Sequence, residues 1–117
     1  MSNKYGAKKV TIDGYKFDSQ AEGERYNDLK LLVAAGEISD LFVHPVYVLI
    51  PPQRWNGKTY RAVKYIADFE YFDHAANKTI VEDVKGGKAT QTAAFKIKMK
   101  LWISQHNPAN RDFRIVT

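Results

Sequence analysis

Three carboxylates, with a lysine close by in sequence, stand where buried strands would carry apolar side chains. Asp68 has apolar neighbours on both sides, and the pair Glu82-Asp83 lies between two valines, with Lys85 two residues after Asp83. Because burying a lone carboxylate is costly, such groups are normally paired or bound to a metal. Side chains two residues apart in a strand share a face, so we expect Asp83 and Lys85 to project together and Glu82 to point the other way.

Carboxylates on two neighbouring strands, with a lysine beside them, predict a site for a hard divalent cation. We expect Asp68 to lie opposite or diagonal to Asp83. Mg²⁺ prefers a few carboxylates plus water and phosphate oxygens, Mn²⁺ is expected to substitute, and the Val84 carbonyl is a further candidate ligand. Lys85 can orient or deprotonate water, or offset charge on a phosphate. The predicted chemistry is metal-assisted phosphodiester hydrolysis, and the alternative is a purely structural ion-pair network.

Hydrophobic periodicity and turn residues predict the elements that position these groups. In chain order they are a β-hairpin over 9–17, a helix over 19–35, strands over 41–50, 60–73 and 78–85, a helix over 90–106, and a last strand in DFRIV. The segment 90–106 alternates like a strand, but its length without Gly or Pro and its Ala, Lys, Met, Leu and Gln content favour a helix.

Chain length and element order predict the architecture. Pro45 predicts that the first of the three strands lies at a sheet edge or is broken there. The three strands form a meander, and the second helix lets the last strand join the sheet in parallel, which gives an α+β fold. A length of 117 residues is typical of one domain, 1–117, in which we expect residues 1–8 to form a flexible basic tail.

The Asp on one hairpin strand followed by Asp83-Val84-Lys85 on the next resembles the PD-(D/E)XK nuclease superfamily. The superfamily core is helix, three strands, helix, strand, which matches the order predicted for residues 19–117. The segments FDSQAEGERY, YIADFEYFD and VEDVKGG further resemble a family of short phage and prophage proteins described as candidate endonucleases or as having unknown function. The resemblance implies a restriction-endonuclease-like core, akin to that of Holliday-junction resolvases, and a DNA endonuclease.

The resemblance also implies a glutamate on the first helix, near the metal. Glu22 falls in line with Tyr26 and Leu29 on the apolar face, whereas Glu24 falls on the polar face. Glu22 is therefore the predicted fourth member of the catalytic and metal-binding set. The alternative is that Glu22 is only the capping-box partner of Ser19.

Basic residues suggest where a polyanion would bind. The net charge is +5 and the pI is about 9.4, values that fit either nucleic-acid binding or a soluble basic surface. The lysines cluster near the N-terminus and over 85–100, which favours a phosphate track. Lys98 falls on the apolar arc of its helix and either snorkels or points to a phosphate. The expected DNA contacts are Lys8, Lys9, Lys88, Lys96, Lys98 and Lys100.

Two remaining features have open interpretations. Trp55 and Tyr60 flank the Asn56-Gly57 turn beside basic residues, so this hairpin either touches DNA or is only an exposed tip. The three histidines lack metal-ligand spacing, and His44 is expected to be structural.

The expected function is an Mg²⁺-dependent DNA endonuclease. No base-reading motif is visible, so a structure-selective substrate such as branched DNA is expected, and cutting both strands at once would need a homodimer. The alternative is a non-catalytic nucleic-acid-binding or phage assembly protein on the same fold. The sequence has no cysteine, no secretory signal and no apolar run of about 18 residues, so we expect no membrane contact and a cytoplasmic protein, in the host cell if phage-encoded.

Overall fold

The chain alternates short strands with two helices. The computed structural model describes residues 8–86 and 90–117. The helices are α1 (Gln20–Ala34) and α2 (Ala93–Ser104). The strands are β1 (Val10–Ile12), β2 (Tyr15–Phe17), β3 (Ile38–Val43), β4 (Val46–Ile50), β5 (Gln53–Trp55), β6 (Lys58–Tyr60), β7 (Val63–Ile66), β8 (Phe69–Asp73), β9 (Lys78–Val84) and β10 (Arg111–Val116). Neither helix in the described part of the chain is long and apolar enough to cross a membrane.

The N-terminal hairpin and α1 form as local sequence dictates. Asp13 and Gly14 have φ of 53° and 82°, the positive values that a type I′ turn requires, so β1 and β2 pair as predicted. Ser19 caps α1 by accepting the Glu22 N–H at 3.2 Å. Gly36, with φ of 76°, follows the end of the helix. The predicted hairpin and first helix are confirmed.

A four-stranded sheet in the order β10-β9-β8-β3 forms the centre of the molecule. The β3–β8 and β8–β9 pairs are antiparallel, and β10 runs parallel to β9 after the α2 crossover. The expected meander and parallel last strand are confirmed, and the fold is α+β. The segment 90–106 contains a helix, and its strand-like alternation does not mark one face, because Phe95 is buried whereas Ile97 is 60% exposed.

Two predicted strands are each interrupted, those over 41–50 and 60–73. The first break falls at His44-Pro45, as Pro45 predicted, and β3 is also a sheet edge. The second falls at Ala67-Asp68, so the prediction of one strand over 60–73 is wrong. The breaks face each other, because the His44 N–H donates to the Asp68 carbonyl at 3.0 Å and the Ala67 N–H to the Pro45 carbonyl at 3.1 Å. Beyond this kink, β4 pairs with β7 in a second, two-stranded sheet.

Helices cover both faces of β9. One buried cluster, beside α1, includes Phe17, Leu29, Phe69 and Ile80, and the other, beside α2, includes Leu49, Tyr65, Val81 and Trp102. Ile80 and Val81 are consecutive and fully buried, so successive residues of β9 face opposite clusters. The same alternation directs Glu82 toward α1 and Asp83 toward α2.

Candidate active site

Asp68 lies at the kink, between β7 and β8, beside the end of β9. Its N–H donates to the Glu82 carbonyl at 3.1 Å, and its Oδ2 accepts the Val84 N–H at 2.6 Å. Val84 therefore contributes its amide to the site, while its carbonyl as a metal ligand stays a prediction. No lysine or arginine among the described residues forms a salt bridge with Asp68.

Glu22, His44 and Asp68 bring three metal-ligating groups together. One ligand atom of each lies within 4.8 Å of the others, and Glu22 is only 9% exposed. The Ser19 hydroxyl donates to Glu22 Oε2 at 3.1 Å, so Glu22 interacts with the cap of α1 and also lies beside Asp68, while its role as a metal ligand stays a prediction. The fold thus brings Glu22 and Asp68 together, as the site prediction required.

His44, which was expected to be structural, is a member of this cluster that the sequence did not predict. Its ring lies 5.6 Å from that of Phe17, so it does pack against the core, but it also faces two carboxylates. His44 has φ of 53°, and this left-handed conformation accompanies the kink before Pro45. The sequence signal for His44 was the strand break predicted at Pro45. This break places residue 44 at the kink, where the chain bends both between β3 and β4 and between β7 and β8.

Burial and neighbouring negative charge together raise the pKa of Asp68. Desolvation, the charge of Asp83, and the charge and hydrogen bond of Glu22 raise its pKa to about 8, against a lowering by the Val84 N–H. A carboxyl in this state holds a proton near neutral pH unless a cation replaces it. Burial and the neighbouring carboxylates therefore disfavour the ionised form of Asp68.

Asp83 and Lys85 share a face, as predicted. Lys85 Nζ lies 3.0 Å from Asp83 Oδ1 and 4.3 Å from the centre of the Phe95 ring. The Tyr65 hydroxyl donates to Asp83 Oδ2. Burial and the Asp83 carboxylate raise the pKa of Tyr65, so this hydroxyl stays protonated and remains a donor. Asp83 is 5% exposed and holds two partners in fixed positions.

A cleft of about 340 Å³ opens beside this pair, between α2 and β7. Asp83, Lys85, Lys64 and Lys98 all line it. Lys98 is partly buried and reaches the same cleft as Asp83, which favours the interpretation that it points to a phosphate. Three ammonium groups around an open cleft form a surface suited to an anionic backbone.

Four other lysines predicted to contact DNA are described, and they do not line this cleft. Lys8, Lys9, Lys96 and Lys100 are exposed. Lys88 and residues 1–7 of the predicted tail lie outside the described residues.

Glu82 is a buried carboxylate whose charge is compensated by Arg25. It is fully buried on the α1 side and accepts two hydrogen bonds from Arg25, Nε at 2.8 Å and Nη2 at 2.6 Å. The Tyr71 hydroxyl donates a third. A bidentate guanidinium satisfies this charge in full. Glu82 is therefore a structural ion pair, whereas Asp68, one strand away, has no basic partner in the described chain.

The donor set fits a divalent ion. Two carboxylates and an imidazole converge, with Asp83 close enough to act on the pKa of Asp68. Oxygen ligands suit Mg²⁺ and Mn²⁺, and the imidazole nitrogen favours first-row transition ions such as Mn²⁺ over Mg²⁺. A cation among these groups would remove the repulsion that raises the pKa of Asp68.

The family comparison covers nearly the whole chain. No curated protein and no solved structure matches it. The model of the family described as "Protein of unknown function (DUF1064)" matches residues 2–115, a span that contains Glu22, His44, Asp68, Asp83 and Lys85. The chain belongs to the DUF1064 family.

Proposed function

We propose that this chain is a metal-dependent DNA endonuclease that hydrolyses phosphodiester bonds, with Mg²⁺ as its ion and Mn²⁺ able to substitute. One observation carries the proposal. The Asp68 carboxylate, which forms no salt bridge with a lysine or arginine of the described chain, lies close to Glu22 and His44, and it is near enough to Asp83, the partner of Lys85, for the charge of Asp83 to raise its pKa. These are the parts that metal-assisted phosphoryl hydrolysis uses.

The order of elements supports a restriction-endonuclease-like core. The order is α1, three antiparallel neighbours β3, β8 and β9, then α2 and the parallel strand β10. Superfamily enzymes share this order. In this chain Asp68 immediately precedes β8, Asp83 lies in β9, and Lys85 immediately follows β9. We propose that the likeness in sequence and in element order reflects one common core.

The protein's own groups would divide the work. A bound ion supplies Lewis-acid polarisation of the scissile phosphate. Asp83, fixed by Tyr65, holds the Lys85 ammonium at the cleft, where it can orient the attacking water and offset charge on the phosphate. Lys64 and Lys98 bind the flanking phosphates.

A cleavage assay with two site variants tests the proposal. Supercoiled plasmid, linear duplex and a four-way junction are incubated with the protein in Mg²⁺, in Mn²⁺ and in EDTA. We expect cleavage in the metal buffers alone. Asp83→Asn and Lys85→Met should each slow it at least about hundredfold, the usual contribution of a positioned acid–base group, with DNA binding in EDTA retained.

Two results would contradict the proposal. If the wild-type protein cleaves no substrate with either metal, a non-catalytic nucleic-acid-binding or phage assembly role takes its place. Cleavage that Asp83→Asn leaves unchanged would mean that another site, or another protein, does the cutting. Glu24→Gln, which removes an exposed carboxylate from α1, is the matched control and should cut like wild type.

A further inference from the structure

Residues 45–67, here called the arm, form a separate ribbon that leaves the central sheet at the candidate site. The arm contains β4, β5, β6 and β7, and two hydrogen bonds close its base, His44 N–H to Asp68 O and Ala67 N–H to Pro45 O. The half of the arm near the site packs on α2 through Leu49 and Tyr65. The distal half is the β5–β6 hairpin, which forms a two-stranded sheet of its own.

Every residue from 51 to 61 is exposed. Trp55 is 68% exposed and Tyr60 is 50% exposed. The register pairs Trp55 with Lys58 and Gln53 with Tyr60. Directly paired residues share a face of an antiparallel hairpin, so both aromatic rings and the Lys58 ammonium project from the same face. Two exposed rings on an isolated two-stranded hairpin indicate a binding surface, because such a hairpin gains little stability from leaving them in water.

Charge identifies the kind of partner. The arm holds Arg54, Lys58, Arg61 and Lys64 and no Asp or Glu, a net charge of +4 out of +5 for the whole chain. None of these four forms a salt bridge in the described part of the chain. The excess positive charge of the protein is thus concentrated beside the exposed rings of Trp55 and Tyr60.

We propose that the β5–β6 hairpin binds unpaired bases of DNA, with Trp55 and Tyr60 stacking on the bases and the arm's basic residues binding the adjoining phosphates. Aromatic rings interleaved with cations are the chemistry of single-strand recognition, and each stacked base strengthens binding by about fivefold or more. A fully paired duplex hides its base faces and offers these rings nothing to stack on. This inference rests on the proposed function and specifies its substrate: DNA with a single-stranded or branched region beside the cut.

The test measures binding without cleavage. A fluorescein-labelled 30-nucleotide oligothymidine, and the same strand paired with its complement, are titrated with the full-length protein in EDTA. We expect the single strand to bind at least fivefold more tightly than the duplex. Trp55→Ala and Tyr60→Ala should each weaken single-strand binding at least fivefold. Trp55→Phe, which keeps an aromatic ring, should retain most of the wild-type affinity. Phe42→Ala, which removes a 55% exposed ring outside the arm, should bind like wild type.

Intrinsic fluorescence gives a second readout. The chain has two tryptophans, and the other, Trp102, is 2% exposed. Stacking of bases on Trp55 should quench the protein's emission, and Trp55→Phe, in which only Trp102 emits, should show no quenching. Equal binding of single strand and duplex by wild type and Trp55→Ala, with unquenched emission, would overturn the proposal. A Trp55→Ala protein that loses self-association in sedimentation while keeping DNA affinity would also overturn it and make the hairpin a protein contact.

The outcomes separate this inference from the proposed function. Quenching and single-strand preference in a protein that cuts nothing with Mg²⁺ or Mn²⁺ would support the hairpin's role and contradict the nuclease. Metal-dependent cleavage of single-stranded and branched DNA that Trp55→Ala and Tyr60→Ala leave unchanged would support the nuclease and contradict the hairpin's role.

Discussion

Replacing Asp68 with asparagine should stabilise the metal-free protein. Asparagine keeps an oxygen for the Val84 N–H and removes only the charge. Because the pKa of Asp68 is raised from 3.8 to about 8, the folded state holds this proton more tightly than the unfolded chain does. Ionisation therefore costs stability as pH rises from about 4 to 8, at about 1.4 kcal/mol per pH unit, or about 4 kcal/mol at pH 7. Partial exposure screens some of this cost, so we expect a gain of about 2–4 kcal/mol for Asp68→Asn at pH 7.

Urea denaturation in EDTA at pH 5, 7 and 9 measures this effect. Wild type should lose stability relative to Asp68→Asn between pH 5 and pH 9, and Glu24→Gln should follow wild type. Adding Mn²⁺ at one hundred times its Kd should then stabilise wild type by about 2.7 kcal/mol and Asp68→Asn far less, because the ion binds only the folded site. Parallel stability profiles for wild type and Asp68→Asn across this pH range would refute the reasoning.

Three further predictions concern other residues in and around the candidate site. Arg25→Met should cost about 3–5 kcal/mol in urea denaturation by leaving Glu82 buried without a counter-charge, and Arg25→Met/Glu82→Gln should recover most of it; an unaffected single variant would contradict the pairing. His44→Ala should weaken Mn²⁺ binding in calorimetry more than Mg²⁺ binding, because imidazole favours the transition ion, and equal losses would remove His44 from the ligand set. Lys98→Ala should slow cleavage more than Lys100→Ala, since only the former lines the cleft; equal rates would place the phosphate elsewhere.

Local sequence was enough to predict the elements whose geometry is local. Asp13-Gly14 and Asn56-Gly57 have the positive φ values that tight hairpin turns need, so both hairpins could be predicted from two residues each. The two-residue period of a strand likewise predicted that Asp83 and Lys85 share a face.

The rest depends on contacts between segments far apart in sequence. The interruption at Asp68 could not be predicted from its own apolar surroundings, because it follows from pairing with a ribbon that bends at Pro45. His44 joins the site only through that same bend. A glycine inside a helix, such as Gly23, is expected to destabilise it. In this fold a Cβ at Gly23 would lie 2.7 Å from Val10 Cγ2, so the glycine allows the hairpin to pack on α1.

The position of a bound ion would show whether Asp68 is a metal ligand. Crystals grown with Mn²⁺ would be measured at the manganese absorption edge. We expect an anomalous peak within coordination distance of Asp68, with Glu22 and either His44 or Asp83 as the other protein ligands. Crystals at the same Mn²⁺ concentration in which Asp68 and Glu22 stay hydrogen-bonded to each other, with no peak between them, would contradict the account.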